Sequence, residues 1–398
     1  MKLCCMTNRD RLRIIPGPTG FATRKIVGPP LTSTRPTDTV TWCPWSSRCI
    51  DVSGLPNVDH PLTITERDDR GLRPLNGFQD QGGGAFREYV NWVPDARGTP
   101  LSHATVSSPS ITELATRLRA RSSPSREEVS VPNFIVELKD LPHMIKQLKN
   151  LGPLLRNIRH GHHDAAIKAV SGQYLGHEFG WRPLVSDIGN LLRFQSKVDR
   201  RIVELNKLYS GSGLKRRLNL FEGTATTEIP SLDLDTGLGA FMTAKCFKVT
   251  RKRIWGTIRW RPTAVPRDIG HQALGQKAWR LVHGMDHFGL DGVQAWNALP
   301  FSWLADWYGN FGDWLSTARN DVPAAPTGPC NIMTLTESYQ TWERTDGLKK
   351  IITGGDGVRI LRTKERTQSS GGLSVHLPLA TARQFSILAA LNLQRRKR

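Results

Sequence analysis

Three groups of side chains in this sequence have types and spacings that could do chemistry. His283 and His287 stand at i, i+4 with Asp286 between them, the spacing that puts two imidazoles on one helical face as half of a zinc site. His160, His162, His163 and Asp164 form a second cluster, and Asp306 with Asp313 could be paired carboxylates. Each falls short. The pair at 283 and 287 lacks the glutamate of H-E-x-x-H, and both histidine clusters lie in basic surroundings where they suit phosphate or solvent. On a helix the two aspartates would lie about 10 Å apart, the far limit for an inverting glycosidase pair; hydrogen bonds or ion pairs to neighbouring elements suit them better. Gly82-Gly83-Gly84 is followed by no Lys-Ser/Thr, no G-x-S-x-G occurs, and no cysteine has a catalytic setting. The expectation is a protein with no catalytic residues, no metal and no cofactor.

The cations are the stronger signal. The 398 residues carry 55 Lys+Arg against 35 Asp+Glu, a net charge of +20, which points to a polyanionic partner, nucleic acid before an anionic membrane. Between Asp140 and Arg217 there are 14 Lys+Arg and 6 acidic residues. The candidate set for tracking an RNA or DNA backbone is Arg156, Arg159, Lys168, Arg193, Lys197, Arg200, Arg201, Lys215, Arg216 and Arg217. On a helix, Arg193, Lys197, Arg200, Arg201 and Lys207 avoid the apolar seam and should face outward to track a phosphate backbone.

The elements that must position these residues follow from periodicity. Residues 1–108 are dense in Pro, Gly, Thr and Ser and read as an irregular β-rich region with long loops. Ser110 with Glu113 three residues on has capping-box spacing, opening a helix; segments 133–150, 153–160 and 163–178 continue in helical style. From Pro183 to Tyr209, Leu184, Ile188, Leu191, Val198, Ile202, Leu205 and Tyr209 make a seam broken only by Gln195, which predicts a long bundle helix ended by Gly211-Ser212-Gly213. Residues 214–262 return to strand chemistry, with Ile254, Ile258 and Trp260 on one parity. Residues 268–320 read as helical, and 330–378 as a strand meander with turns at Asp346-Gly347, Gly354-Gly355 and Gly371-Gly372. The tail from Ala380 reads as a short helix with a basic end.

The fold class is therefore α+β, with two regions interleaved in sequence. The β-sheet region takes 1–108, 214–265 and 325–378; the helical-bundle region takes 109–213, 266–324 and 379–398. On a helical wheel drawn from Pro300, Trp303, Leu304, Trp307, Tyr308, Phe311, Trp314 and Leu315 share an arc of about 140°, an aromatic face for burial in that bundle. No run approaches 18 apolar residues, so no stable membrane insertion is expected. Six cysteines with no CxxC pair suit a reducing compartment, leaving a Cys43–Cys49 bridge open.

Two segments carry more than patterning. YLGHEFGWRPLVSDIGNLL (174–192) resembles a signature of the maturation proteins of single-stranded RNA bacteriophages, through Phe179, Gly180, Trp181, Pro183, Leu184, Ser186, Asp187 and Ile188. WNALPFSWLADWYGNFGDWL (296–315) resembles the second signature of that family through Trp296, Pro300, Phe301, Ser302, Asp306 and Trp307, with Trp303 between them. Tyr174 departs from the tryptophan usual in the family, and the first hundred residues show no match. The resemblance implies an elongated virion protein, made in the host cytoplasm, that takes the place of a coat-protein dimer. Its helical region would bind the phage genomic RNA, its β region a retractile host pilus through residues that the resemblance does not identify, and it would enter the cell with the RNA. A basic RNA-processing enzyme, such as a metal-dependent nuclease relying on His283 and His287, is the competing reading; a peripheral membrane or lysis effector is a third.

Overall fold

The computed structural model describes residues 7–28, 31–34, 38–53, 60–96, 101–126, 194–235, 242–266, 270–283, 296, 306, 309–374 and 386–387. Strands dominate an α+β fold. In chain order they are β1 (Thr7–Ile15), β2 (Thr19–Gly28), β3 (Leu31–Thr34), β4 (Asp38–Thr41), β5 (Trp45–Ser53), β6 (Leu62–Leu72), β7 (Leu75–Gly82), β8 (Ala85–Trp92) and β9 (Asp95–Ala96). After the helices α1 (Ile111–Ser122) and α2 (Phe194–Tyr209) come β10 (Leu214–Asp235) and β11 (Met242–Pro262). Then follow α3 (His271–His283), α4 (Phe311–Thr317), β12 (Ala324–Pro326), β13 (Cys330–Arg344), β14 (Ile352–Thr353) and β15 (Gly357–Ser369). The chain divides into two compact units: Met1–Leu114 with Arg217–Thr257 and Cys330–Ser369, and Ala115–Arg216 with Ile258–Pro329 and Ser370–Arg398.

The first unit is built on two sheets. One runs β1-β5-β6-β15-β13-β11-β10-β9, the other β14-β7-β8-β2-β3 with β4 also paired to β2. β11 shows why: buried and half-exposed residues alternate from Met242 to Thr250, the period-2 pattern that gives a strand two unlike faces. Leu72, Leu75, Tyr89, Trp92, Leu232, Met242 and Trp342 are buried in one apolar cluster drawn from both sheets, each large side chain contributing roughly 1.5–3 kcal/mol. The first hundred residues are more regular than their composition predicts. Cross-strand ion pairs organise them: Arg9 and Arg11 on Asp51, and Arg48 on Asp10, supply the pairing that a Thr- and Ser-rich sequence does not advertise.

The Gly354-Gly355 turn differs from the predicted hairpin. β14 pairs with β7 in the smaller sheet, whereas β15 pairs with β13 and β6 in the larger, so residues 354–357 carry the chain from one sheet to the other. Gly354 has φ +88°, and a Cβ there would fall 1.9 Å from the Pro74 carbonyl oxygen, so glycine is required. The fully buried Arg344 guanidinium ties the turn down by donating to the Ile352 and Gly354 carbonyls and to Asp346. Cys43 and Cys49 are free thiols.

In the second unit α2 packs on α3. Val198, Leu205 and Leu208 are buried on α2, and Leu274, Ala278, Leu281 and Val282 on α3, the three- and four-residue spacing of an amphipathic helix. A Cβ on Gly275 would lie 3.9 Å from Ile202 Cδ1, so the two helices approach closely. α2 ends as predicted: Gly213, at φ +70°, donates its N–H to Ser210 O. The Trp260 indole donates to Ser122 Oγ at 3.1 Å, and the Ser125 hydroxyl and backbone of Val322 exchange two bonds.

The helix predicted across 300–315 is described only in its last part. Asn310, non-helical at φ −104°, ψ 41°, precedes α4, which starts at Phe311 and buries none of its side chains; Trp314 is 45% exposed. Phe311 and Trp314 are therefore not buried as the wheel predicted, and residues 300–305, 307 and 308 of the predicted helix lie outside the described residues.

Upstream of α1 the Ser110 cap is present, its Oγ accepting the Glu113 N–H at 3.2 Å. The segments 133–150, 153–160 and 163–178, and residues 183–193, lie outside the described residues.

Candidate nucleic-acid interface

The predicted RNA-binding residues separate into four groups. Arg156, Arg159, Lys168 and Arg193 lie outside the described residues. Arg200 on α2 and Lys215 at the start of β10 are exposed, and Lys197 is half-exposed. These three lie in the second unit with Lys207, also exposed, and exposed cations of this kind suit contact with a phosphate chain.

Arg201 corrects the sequence reading: it is 1% exposed and does not face outward. The buried residues of α2 run 198, 201, 205, 208, so Arg201 occupies an inward position that the seam through Ile202 and Tyr209 missed. Its burial is tolerated because Glu204, one turn on, accepts its Nη1 at 3.0 Å, while its Nη2 donates to the Arg126 carbonyl. Glu204 also accepts from Arg126 at 2.7 Å and from Arg216. Arg216 is thus half-buried and engaged, and its reach brings the start of β10 beside α2. Burial works to raise the Glu204 carboxyl, but Arg126, Arg216 and Arg201 outweigh it and hold it below the usual glutamate value.

Of the family-signature residues, Phe179, Gly180, Trp181, Pro183, Asp187, Pro300, Phe301, Trp303 and Trp307 lie outside the described residues. Asp306 is described. One of its oxygens accepts the Trp296 indole N–H at 3.4 Å, the other the Gly312 backbone N–H at 3.0 Å. Trp296 also lies 5.8 Å from the Phe311 ring. Asp313 pairs with Arg117 at 3.4 Å, so both aspartates of the candidate carboxylate pair serve structure. His160, His162, His163, Asp164, Asp286 and His287 lie outside the described residues. Among the described residues no group of three His, Cys, Asp or Glu side chains is placed to hold a metal ion, and no helix is long and apolar enough to cross a membrane.

Arg217 belongs to the first unit, where its guanidinium lies 5.1 Å over the Trp255 ring. There the sequence reading missed a set of cations. Arg9, Arg11 and Arg13 on β1, Arg251 and Arg253 on β11, and Arg362, Lys364 and Arg366 on β15 each recur every second residue. That spacing places each set on one face of its strand, and a search for cations at period two would have found it.

No family model matches the chain, and no curated protein matches it.

Proposed function

We propose that this chain is the maturation and attachment protein of a single-stranded RNA bacteriophage, present in the virion. In this reading it binds the phage genomic RNA, contacts coat protein in the capsid and docks a retractile host pilus, mediating adsorption and genome delivery. It acts without catalysis, cofactor or metal, and its helical segments assemble as a bundle.

The observation that carries this reading is the pair of signature segments at 174–192 and 296–307. The 3.4 Å bond from the Trp296 indole to Asp306 supports it, because it joins two fixed residues of the second signature. The exposed Arg200, Lys207 and Lys215 and the half-exposed Lys197 support the RNA half. Stem-loops are recognised through backbone, shape and unstacked bases, which dispersed cations suit better than a compact catalytic motif would.

The test is to assemble particles with and without the chain. Particles that contain it should adsorb to piliated cells and protect their RNA from nuclease; particles lacking it should do neither. Equal adsorption and protection by both would overturn the reading, and metal-dependent RNA cleavage by the purified chain would favour the nuclease instead.

A further inference from the structure

The register of the larger sheet assembles the period-2 cations into one surface. Directly opposed residues share a face, so three rows cross six strands of the first unit. The first runs Arg9, Asp51, Leu62, Arg366, Met333, Trp255; the second Arg11, Cys49, Ile64, Lys364, Leu335, Arg253; the third Arg13, Ser47, Glu66, Arg362, Glu337, Arg251. In these three rows eight cations stand against three carboxylates. Each carboxylate is already engaged: Asp51 by Arg9 and Arg11, Glu66 by Arg362, and Glu337 by Arg253 and Arg362. Arg251, Lys364 and Arg217 have no carboxylate partner among the described residues.

The opposite face of these strands is occupied. His103 bonds Ser338 and Thr363, Thr250 accepts the Ala104 N–H, and Lys252 donates to Ser108, so the segment 101–108 lies across it. The cationic face carries instead a cleft of about 540 Å³ lined by Arg217, Asn219, Phe221, Glu222, Arg253 and Trp255 among others. Its volume is within the roughly 300–1,000 Å³ of small-molecule sites. Trp255 is half-buried, with Arg217 5.1 Å and Lys364 6.0 Å from its ring.

We propose that this face binds single-stranded RNA, its cations contacting the phosphates and one base stacking in the cleft at Trp255. The inference rests on the RNA-binding reading above and adds a second binding surface, on the sheet, to the one read from α2. A protein partner fits less well: protein interfaces are depleted of charge at their centre and built around apolar side chains, whereas here cations occupy the middle strands β15 and β11. Single-strand binding surfaces combine a cationic track with an exposed aromatic ring, because every base has a face to stack and every nucleotide a charge to neutralise. The Arg217 guanidinium, 5.1 Å from the centroid of the Trp255 ring, sets a cation beside the stacking position, where it can meet a phosphate.

The test uses the full chain and a labelled 12-nucleotide uridine oligoribonucleotide, with Kd measured by anisotropy over a range of salt. Trp255→Ala should weaken binding about tenfold, a loss of about 1.4 kcal/mol, while Trp255→Phe retains most of it. Arg251→Gln, Arg253→Gln and Lys364→Gln together, on an exposed face where folding is spared, should lower the salt slope by about 2. Unchanged affinity and slope in both variants, with wild type binding the oligonucleotide, would overturn this site and leave the RNA reading standing. Wild type that binds long RNA but not the oligonucleotide would also overturn the site alone; wild type that binds neither would overturn both. Variants that keep RNA binding but lose binding to purified pili would assign the face to a protein partner, against the proposal.

Discussion

Arg201 and Glu204 form an ion pair one turn apart on α2, at 3.0 Å, with the arginine 1% exposed. The pair turns a residue that looked like part of the RNA surface into part of the framework behind it. Glu204→Gln leaves a buried guanidinium and two further arginines without their shared carboxylate. It should cost about 3 kcal/mol or more of unfolding free energy, read from urea denaturation. A loss below about 1 kcal/mol would mean that Arg201 reaches solvent.

The same carboxylate sets an acid limit. Its folded pKa lies below its ordinary value, so its contribution is complete above the unfolded value of about 4.5 and is lost as pH falls through the lower folded value. Glu204→Gln should therefore flatten the stability profile below about pH 4.5. An unaltered acid limb would count against the arginine cluster as its cause.

His103 gives the opposite end of the mildly acidic range. Burial first, and then the charge of Lys248, hold its imidazole below the ordinary value of 6.5. The unfolded chain therefore binds the proton more readily. Stability from neutral His103 is full above about pH 6.5 and declines as pH falls from there toward the folded value. His103→Gln, which can still bond the Ser338 and Thr363 hydroxyls, should remove that slope in thermal melts between pH 7 and 5. A slope of the same size in the variant would assign it to other groups.

Reversing Lys197, Arg200 and Lys215 to Glu should weaken RNA binding and reduce its dependence on salt, without altering the melting temperature by more than a few degrees. Including Arg201 in the set would instead unfold the protein. If the triple variant binds RNA as wild type does, α2 is not an RNA surface.

How far these features could be read from sequence depends on whether one element or several encode them. The alternation around Ile254, Ile258 and Trp260, the Ser110 cap and the Gly213 stop are local, and each follows from its own few residues. Arg201 was misplaced because the Arg126 carbonyl that accepts one of its N–H groups comes from a distant segment, and a helical wheel ranks a charged residue as outward unless such a partner is known. The Gly354-Gly355 turn looked like a hairpin because its glycines encode a reversal but not the strand that each arm will join. The cationic sheet face was hidden for the same reason: Arg9, Lys364 and Arg253 come from strands far apart in sequence and meet only through register.

The most direct test of RNA binding is a salt titration of the purified full chain on a single-stranded RNA of 40 nucleotides. If α2 and the sheet face hold phosphates, log Kd should rise linearly with log salt, with a slope of several units at about 0.7 per phosphate engaged. Absent binding at low salt, or an affinity that does not change with salt, would contradict it.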